Sequence, residues 1–90
     1  MRDIVRTTIF KRDYKRCIKR GCSKQKLAEV LELLVHDQAL PDRYRPHRLS
    51  GQYRGLWECH ITPDWLLIYD YPNEEELELR RMGSHADLFH

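Results

Sequence analysis

The sequence predicts an α+β domain with the element order β-α-α-β-β-β, in which a helical hairpin packs on an antiparallel sheet. Between Phe10 and Leu34 the apolar residues recur at the three- and four-residue spacings of amphipathic helices. Between Trp57 and Met82 they alternate or run together in short segments separated by turn residues, which is typical of strands. Ninety residues suffice for one small domain, so we expect a single domain over residues 1–90.

The first third of the chain predicts a short strand followed by two helices. Residues 4–8 have the β-branched content of a strand, and Thr7 or Thr8 is placed to cap the next helix. Gly21 suits a left-handed helix end, and Ser23 is placed to cap the second helix. The apolar positions of the two helices are Phe10, Tyr14, Cys17, Ile18, Leu27, Val30, Leu31 and Leu34.

The first of these helices has a strongly basic outer face. The net charge of the chain is only +2, but residues 1–26 carry ten Lys or Arg against two Asp, or +8, and the remainder carries six basic against twelve acidic residues, or −6. Such a face is either a solvated surface or a surface that contacts nucleic-acid phosphates. Its members are Lys11, Arg12, Lys15, Arg16, Lys19 and Arg20.

A β-hairpin is predicted to form the centre of the sheet. Along residues 57–62 apolar side chains alternate with Glu58 and His60, which therefore share the opposite face of that strand. A Pro-Asp turn at residues 63–64 leads into residues 65–71, which are almost continuously apolar, as in a central strand covered on both faces. A surface loop with two prolines, three arginines and a histidine precedes the hairpin.

The last predicted strand spans residues 76–82. Leu77 and Leu79 lie on one face, and strict alternation makes Arg81 continue that face. An arginine at the end of an inward face needs a partner or an anionic ligand, because burying a charge unpaired is costly. The alternative is an arginine that merely emerges at the sheet edge.

Composition excludes several classes of protein. The three cysteines are odd in number and fit no zinc-ribbon spacing, so we expect reduced thiols and neither disulfides nor a thiolate metal site. No apolar run approaches the roughly 20 residues that span a bilayer, and the start of the chain lacks the apolar segment of a secretory signal. We therefore expect a cytoplasmic protein without membrane contacts.

Three histidines fall at predicted strand ends or in loops: His47, His60 and His85. Imidazole can take up or give up a proton near neutral pH, so two such groups can serve as base and acid in one reaction. An arginine such as Arg81 can hold a phosphate between them. This combination suits metal-free RNA cleavage, in which a base deprotonates the 2′-hydroxyl, the oxygen attacks phosphorus, and an acid protonates the departing 5′-oxygen.

A zinc hydrolase built on the same imidazoles and Asp64 is the competing chemistry. The sequence has no paired ligands at helical spacing, and Arg81 beside the site would repel a dication. We therefore predict no metal and no other cofactor.

The sequence resembles the RelE/ParE superfamily of small bacterial toxins, and specifically its YafQ-like branch of ribosome-dependent messenger-RNA endonucleases. The similarity covers residues 40–89 through several short motifs, whereas the helical first half is similar only in pattern and charge. These motifs are PHRLSG at 46–51, ECHITPDWLLIY at 58–69, RMGSH at 81–85 and LF at 88–89. The resemblance implies a RelE-like microbial RNase fold.

The resemblance also implies roles for individual residues. It implies that His85 is the general acid, that Asp64 with His47 or His60 supplies or orients the base, and that Arg81 stabilises the charged phosphate. It further implies that Trp65 and Phe89 stack on or enclose a base. The choice between the two imidazoles as base stays open.

The resemblance to these toxins also implies which partners the chain binds. Its partners are a short acidic antitoxin of the DinJ/RelB type and the 70S ribosome with messenger RNA, and it contacts operator DNA only through the antitoxin complex. The basic helix then becomes a candidate contact with ribosomal RNA. The alternative is a non-catalytic topoisomerase inhibitor, as in the ParE branch, which would have no use for the three histidines.

Overall fold

The structure, a computed structural model, describes residues 1–89, which fold into a five-stranded sheet and three helices. The elements are β1 Asp3–Arg6, α1 Thr8–Lys19, α2 Lys24–Val35, β2 His47–Arg48, β3 Trp57–Thr62, β4 Trp65–Asp70, β5 Glu76–Gly83 and α3 His85–Leu88. The strand order is β1-β5-β4-β3-β2. None of the helices in this part of the chain is long and apolar enough to cross a membrane.

The predicted α+β fold with a helical hairpin is confirmed, but the sheet is mixed rather than antiparallel. The first strand pairs with β5 in parallel, whereas the other pairings are antiparallel. Two short elements also escape the sequence patterns, because two-residue β2 and single-turn α3 are too short to show a period. As a result His47 lies on an edge strand instead of in a loop.

Both helix starts follow the predicted capping. The hydroxyl of Thr7 accepts a hydrogen bond from the Phe10 N–H at 3.0 Å, and that of Ser23 accepts from the Lys26 N–H at 3.3 Å. After α1 the chain turns at Gly21, whose φ of 92° favours glycine. The two helices thus form a hairpin over one face of the sheet.

The main core lies between this helical hairpin and the sheet. From β4 it takes Trp65, Leu67 and Tyr69, all buried. The other two inner residues of β4, Leu66 and Ile68, are fully buried on the opposite face. The prediction of a central strand covered on both faces is therefore confirmed. The second face is covered by Leu49, Tyr53, Leu56, Leu88 and Phe89.

A β-bulge in β5 changes the face on which Arg81 lies. Tyr69 pairs with Leu79 and Ile68 pairs with Arg81, so Arg80 is an extra residue in β5. Arg81 consequently lies on the Ile68 face, and Met82 joins the main core with no exposed surface. The expectation that Arg81 continues the Leu77–Leu79 face is wrong, because the bulge reverses the alternation.

Candidate active site

Two histidines meet at a buried carboxylate on the sheet face that the α1–α2 hairpin leaves free. The β2–β3 register places His47 opposite Glu58, and His60 follows two residues later on the same face of β3. Oε1 of Glu58 lies 3.2 Å from Nε2 of His47 and 3.5 Å from Nε2 of His60. The two imidazole centroids are 6.3 Å apart.

Glu58 is the member of this cluster that sequence reasoning did not name as a site residue. It is only 4% exposed, and its second oxygen, Oε2, is buried without a hydrogen-bond partner among the described residues. A buried carboxylate is costly unless it is bonded, so its retention between two imidazoles needs a reason. The available signal was the alternation of β3, which puts a charged residue beside His60 on one face.

The other ring nitrogen of each histidine also faces an oxygen. Nδ1 of His47 lies 2.8 Å from the Arg45 carbonyl, and Nδ1 of His60 lies 3.3 Å from the Pro63 carbonyl. Carbonyl and carboxylate oxygens only accept hydrogen bonds, so a neutral ring, which has a single N–H, donates to one of these two neighbours and keeps a lone pair on its other nitrogen. That lone pair is what a general base needs to take a proton from a substrate.

His85 approaches this face from the far side of β4. It is the first residue of α3, not part of a loop, and its backbone N–H donates to Oδ1 of Asp64 at 3.1 Å. Asp64 thus ties α3 to the turn between β3 and β4. The His85 ring is exposed and lies 4.9 Å from the Phe89 ring, centroid to centroid.

The sheet register relates the position of His60 to that of His85. His60 and Gly83 are both Cα partners of Leu66, one on each side of β4. Two strand spacings separate them, or about 10 Å, and His85 follows Gly83 by two residues. The imidazoles of His60 and His85 are therefore carried by elements on either side of β4, whose Leu66 is itself buried.

Arg81 lies on the same face, and Asp13 of α1 holds it in place. Its Nε donates to Oδ2 of Asp13 at 2.7 Å and its Nη2 to Oδ1 at 3.3 Å, while Nη1 donates to the Tyr53 hydroxyl at 3.3 Å. The bond to Asp13 raises the pKa of Arg81 above its ordinary value. A guanidinium has five N–H groups, so two remain for a phosphate.

Trp65 does not lie on this surface. It is 4% exposed, belongs to the main core, and its Nε1 is buried without a hydrogen-bond partner among the described residues. A side chain so buried cannot stack on a base unless the core opens, so the expected substrate contact is replaced by a core role. Phe89, which is partly exposed beside His85, is left as the aromatic group of the site.

The basic residues of α1 fall into two groups. Lys11, Arg12, Lys15 and Lys19 are exposed, as a surface for phosphate contacts must be. Arg16 and Arg20 keep 39% and 50% of their side chains exposed, but they pair with Asp13 and Asp87. Contact of all six residues with ribosomal RNA stays a prediction, and two of the six already hold carboxylates of this chain.

Thiol chemistry does not fit the buried cysteines. Burial raises the pKa of Cys59 to about 12 and that of Cys17 to about 11, so neither supplies a thiolate near neutral pH. All three cysteines are free thiols. Within residues 1–89, no three His, Cys, Asp or Glu side chains are arranged to share a metal ion.

A mixed sheet flanked by a helical hairpin, with His47, His60 and Arg81 on the opposite face and His85 at the start of α3, is the arrangement expected of a small RNase-like toxin. Residues 2–90 match the family model described as the bacterial toxin of type II toxin-antitoxin systems, YafQ. The chain belongs to this family of toxins. The predicted resemblance is confirmed over nearly the whole chain, including the helical half.

Named relatives agree with this assignment. The chain is 36% identical over 89 residues to the mRNA interferase toxin YafQ of Escherichia coli K12, covering 98% of this chain and 96% of that protein. YafQ in the E. coli DinJ-YafQ complex superposes with a TM-score of 0.89 at 35% identity, covering 100% of both chains. A copper-bound mutant toxin from Helicobacter pylori superposes with a TM-score of 0.92 at 32% identity, covering 99% of this chain and 100% of that one. These names do not favour the topoisomerase inhibitor.

Proposed function

We propose that this toxin is an endoribonuclease that cleaves messenger RNA on the ribosome by metal-free acid-base catalysis and so stops translation. The observation that carries the proposal is the arrangement on one sheet face. His47 and His60 share the Glu58 carboxylate on one side of Leu66, and His85 lies beyond Gly83 on the other. Base and acid on opposite sides of a phosphate are what in-line attack by a 2′-hydroxyl requires.

Each residue has one part in this reaction. His47 or His60, oriented by Glu58, removes the proton of the 2′-hydroxyl, whose oxygen then forms a bond to the adjacent phosphorus. His85 donates a proton to the 5′-oxygen as its bond to phosphorus breaks, which leaves a cyclic phosphate and a 5′-hydroxyl. The two unused N–H groups of Arg81 stabilise the additional negative charge on the phosphate.

Two further residues support the site. Asp64 positions His85 through the backbone, because its carboxylate accepts the His85 N–H. Phe89 offers an aromatic face on which a base adjacent to the cleaved bond can stack. Few groups on this open face can read a base, so the ribosome must hold the strand in line for attack.

The partners follow from the same proposal. A cognate acidic antitoxin of the DinJ/RelB type binds the chain and blocks the site, and operator DNA is contacted only through that complex. The toxin acts in the cytoplasm as one domain over residues 1–90. Lys11, Arg12, Lys15 and Lys19 dock on ribosomal RNA, because clustered exposed Lys and Arg displace counterions from phosphates.

Toeprinting on a translated message tests the proposal directly. We expect new cleavage sites when the toxin is present during translation and little cleavage of the same RNA without ribosomes. Variants with His47, His60 and His85 changed to Ala should bind ribosomes and leave the message intact. A message that survives translation in the presence of excess folded toxin would refute the proposed activity.

A further inference from the structure

Asp87 joins the helix that carries His85 to the basic helix α1. Its Oδ2 accepts a hydrogen bond from the Ser84 N–H at 2.9 Å, and Ser84 Oγ accepts one from the Asp87 N–H at 3.1 Å, which closes a capping box at the start of α3. The same Oδ2 lies 2.6 Å from Nη1 of Arg20 and 3.8 Å from Nη2 of Arg16. Asp87 is 14% exposed, whereas the Arg20 side chain is 50% exposed, so the carboxylate is mostly covered and the guanidinium lies at the surface.

Gly83 allows Asp87 and Arg16 to approach the chain closely. A Cβ added to Gly83 would come within 2.9 Å of Asp87 Oδ2 and 3.2 Å of Arg16 Nη2, so glycine leaves room for the carboxylate and the guanidinium. Nη2 of Arg16 also donates to Oδ1 of Asp13 at 3.0 Å. Asp13 in turn holds Arg81. Asp13 thus links α1 to Arg81, and Asp87 links α3 to α1.

The helix α3 depends on such contacts. It has four residues, and an isolated helix of one turn is unstable because nucleation fixes several residues for a single hydrogen bond. Its own backbone bonds run from the Leu88 and Phe89 N–H groups to the Ser84 and His85 carbonyls. The orientation of the His85 ring therefore depends on the contacts that keep this single turn in place.

We propose that Asp87 is a positioning residue for His85, and that Arg20 and Arg16 contribute to RNA cleavage through Asp87 rather than by contacting ribosomal RNA. The inference rests on the proposed function. This proposal assigns different roles to the lysines and to the paired arginines of α1. Exposed lysines such as Lys19 set the affinity for the ribosome, whereas the paired arginines set the rate of the chemical step.

A kinetic comparison of matched variants tests this. Single-turnover cleavage of a ribosome-bound message is measured against ribosome concentration, which gives a saturating rate and a half-saturating concentration. We expect Arg20→Gln to lower the saturating rate about 2- to 10-fold and Asp87→Asn to lower it about 5- to 30-fold. Neither should raise the half-saturating concentration by more than about 2-fold. The double variant should cleave no more slowly than Asp87→Asn alone, because the two residues act through one contact.

Two controls separate positioning from docking and from general loss of an ion pair. Lys19→Gln, next to Arg20 in the chain, should raise the half-saturating concentration and keep the saturating rate. Asp37→Asn removes the carboxylate of another 2.6 Å Arg–Asp pair, formed with Arg2 far from the site, and should change neither value. Arg20→Lys should have a higher saturating rate than Arg20→Gln, because lysine again places a positive charge beside Asp87.

Hydrogen exchange on the free toxin gives a readout that does not need the ribosome. The Leu88 and Phe89 amides should exchange about 5- to 30-fold faster in Asp87→Asn, with smaller increases in Arg20→Gln and none in Lys19→Gln. Unchanged exchange, or an Arg20→Gln variant that loses only ribosome affinity, would overturn the inference. A parent toxin that never cleaves ribosome-bound RNA would instead refute the proposed function, and the inference would fall with it.

Discussion

His47 and His60 face one carboxylate oxygen, although they lie on different strands. Their Nε2 atoms are 3.2 and 3.5 Å from Oε1 of Glu58. The contact forms because β2 pairs with β3 so that His47 is opposite Glu58. A single buried carboxylate therefore lies against both candidate bases.

Replacing this shared carboxylate should impair cleavage without unfolding the protein. We expect Glu58→Gln to lower the saturating cleavage rate at least about 10-fold, up to the roughly 10²- to 10⁴-fold typical of losing a general base. Stability should fall by less than about 1 kcal/mol, since removing a buried charge offsets the lost contacts. Urea unfolding and single-turnover cleavage measure the two effects.

A surface glutamate provides the matched control for this experiment. Glu78 pairs with Arg80 at 3.0 Å on the outside of β5, and Glu78→Gln should cleave as the parent does. A Glu58→Gln variant that cleaves at the parent's rate would assign Glu58 to the structure alone.

Truncating His85 should remove most of the activity and little of the stability. The ring is exposed, and the bond from its N–H to Asp64 involves the backbone, so His85→Ala keeps that bond. Losing a general acid should cost about 10²- to 10⁴-fold in rate. His36→Ala serves as the control, because His36 pairs with Glu32 at the end of α2, on the solvent side. A folded His85→Ala variant with parent turnover would place the acid elsewhere.

Regular patterns made much of this fold predictable. The amphipathic stripe of α1 and α2 and the apolar run of β4 extend over enough residues to establish a period, and each formed where expected. The face of Arg81 could not be predicted, because a bulge at Arg80 depends on pairing between β4 and β5 and leaves no local sequence signal. Trp65 was misplaced for a related reason: its position beside a turn did not reveal that its ring enters the core.

The site was only partly visible in the sequence. Histidines at strand ends suggested proton transfer, but Glu58 appeared to be an ordinary outward residue of an alternating strand. His47 reaches it only because two-residue β2 pairs with β3, and so short a strand has no recognisable pattern. The pairing of Arg16 and Arg20 with α3 was likewise invisible, because residues about 70 positions apart in sequence form it.

The cleavage reaction should need no metal ion. We expect full cleavage by toxin that is treated with EDTA and then added to ribosomes kept in magnesium, because the described residues supply a base, an acid and a cation for the phosphate without a bound metal. Ribosome integrity must be checked in parallel, since magnesium removal dissociates the subunits. A related H. pylori toxin is copper-bound in its crystal structure, so zinc and copper are both added back. Restoration of lost activity by either metal would contradict the prediction.

The contact between Arg20 and Asp87 should appear in the acid stability of the toxin. The Arg20 guanidinium and the Ser84 N–H hold the pKa of Asp87 well below its ordinary value of 3.8. Folding therefore favours the ionised carboxylate, which adds stability above about pH 4 and loses that contribution as the pH falls further. The parent should lose more stability than Asp87→Asn between about pH 4 and pH 2 in urea titrations. Parallel curves for the two proteins would contradict this.

The exposed lysines of α1 should govern ribosome binding. Lys11, Lys15 and Lys19 are exposed and stand outside the ion pairs that Arg16 and Arg20 form. We expect the triple Lys→Gln variant to fold normally, to keep at least part of its antitoxin binding, and to bind ribosomes more weakly with a shallower salt dependence. Each lost phosphate contact removes about one unit of the slope of log affinity against log salt.

The saturating rate separates this prediction from a catalytic defect. At saturating ribosome the triple variant should approach the parent's single-turnover rate, because Glu58, the histidines and the Asp87 contact are untouched. If affinity and salt slope both stay at parent values, the α1 face is a solvated surface. Docking would then be sought around the arginines that border His60, where Arg43 and Arg45 line a cleft of about 550 Å³, and at Arg48 and Arg54 nearby in the chain. Charge-neutralising variants of those four arginines would decide between the two surfaces.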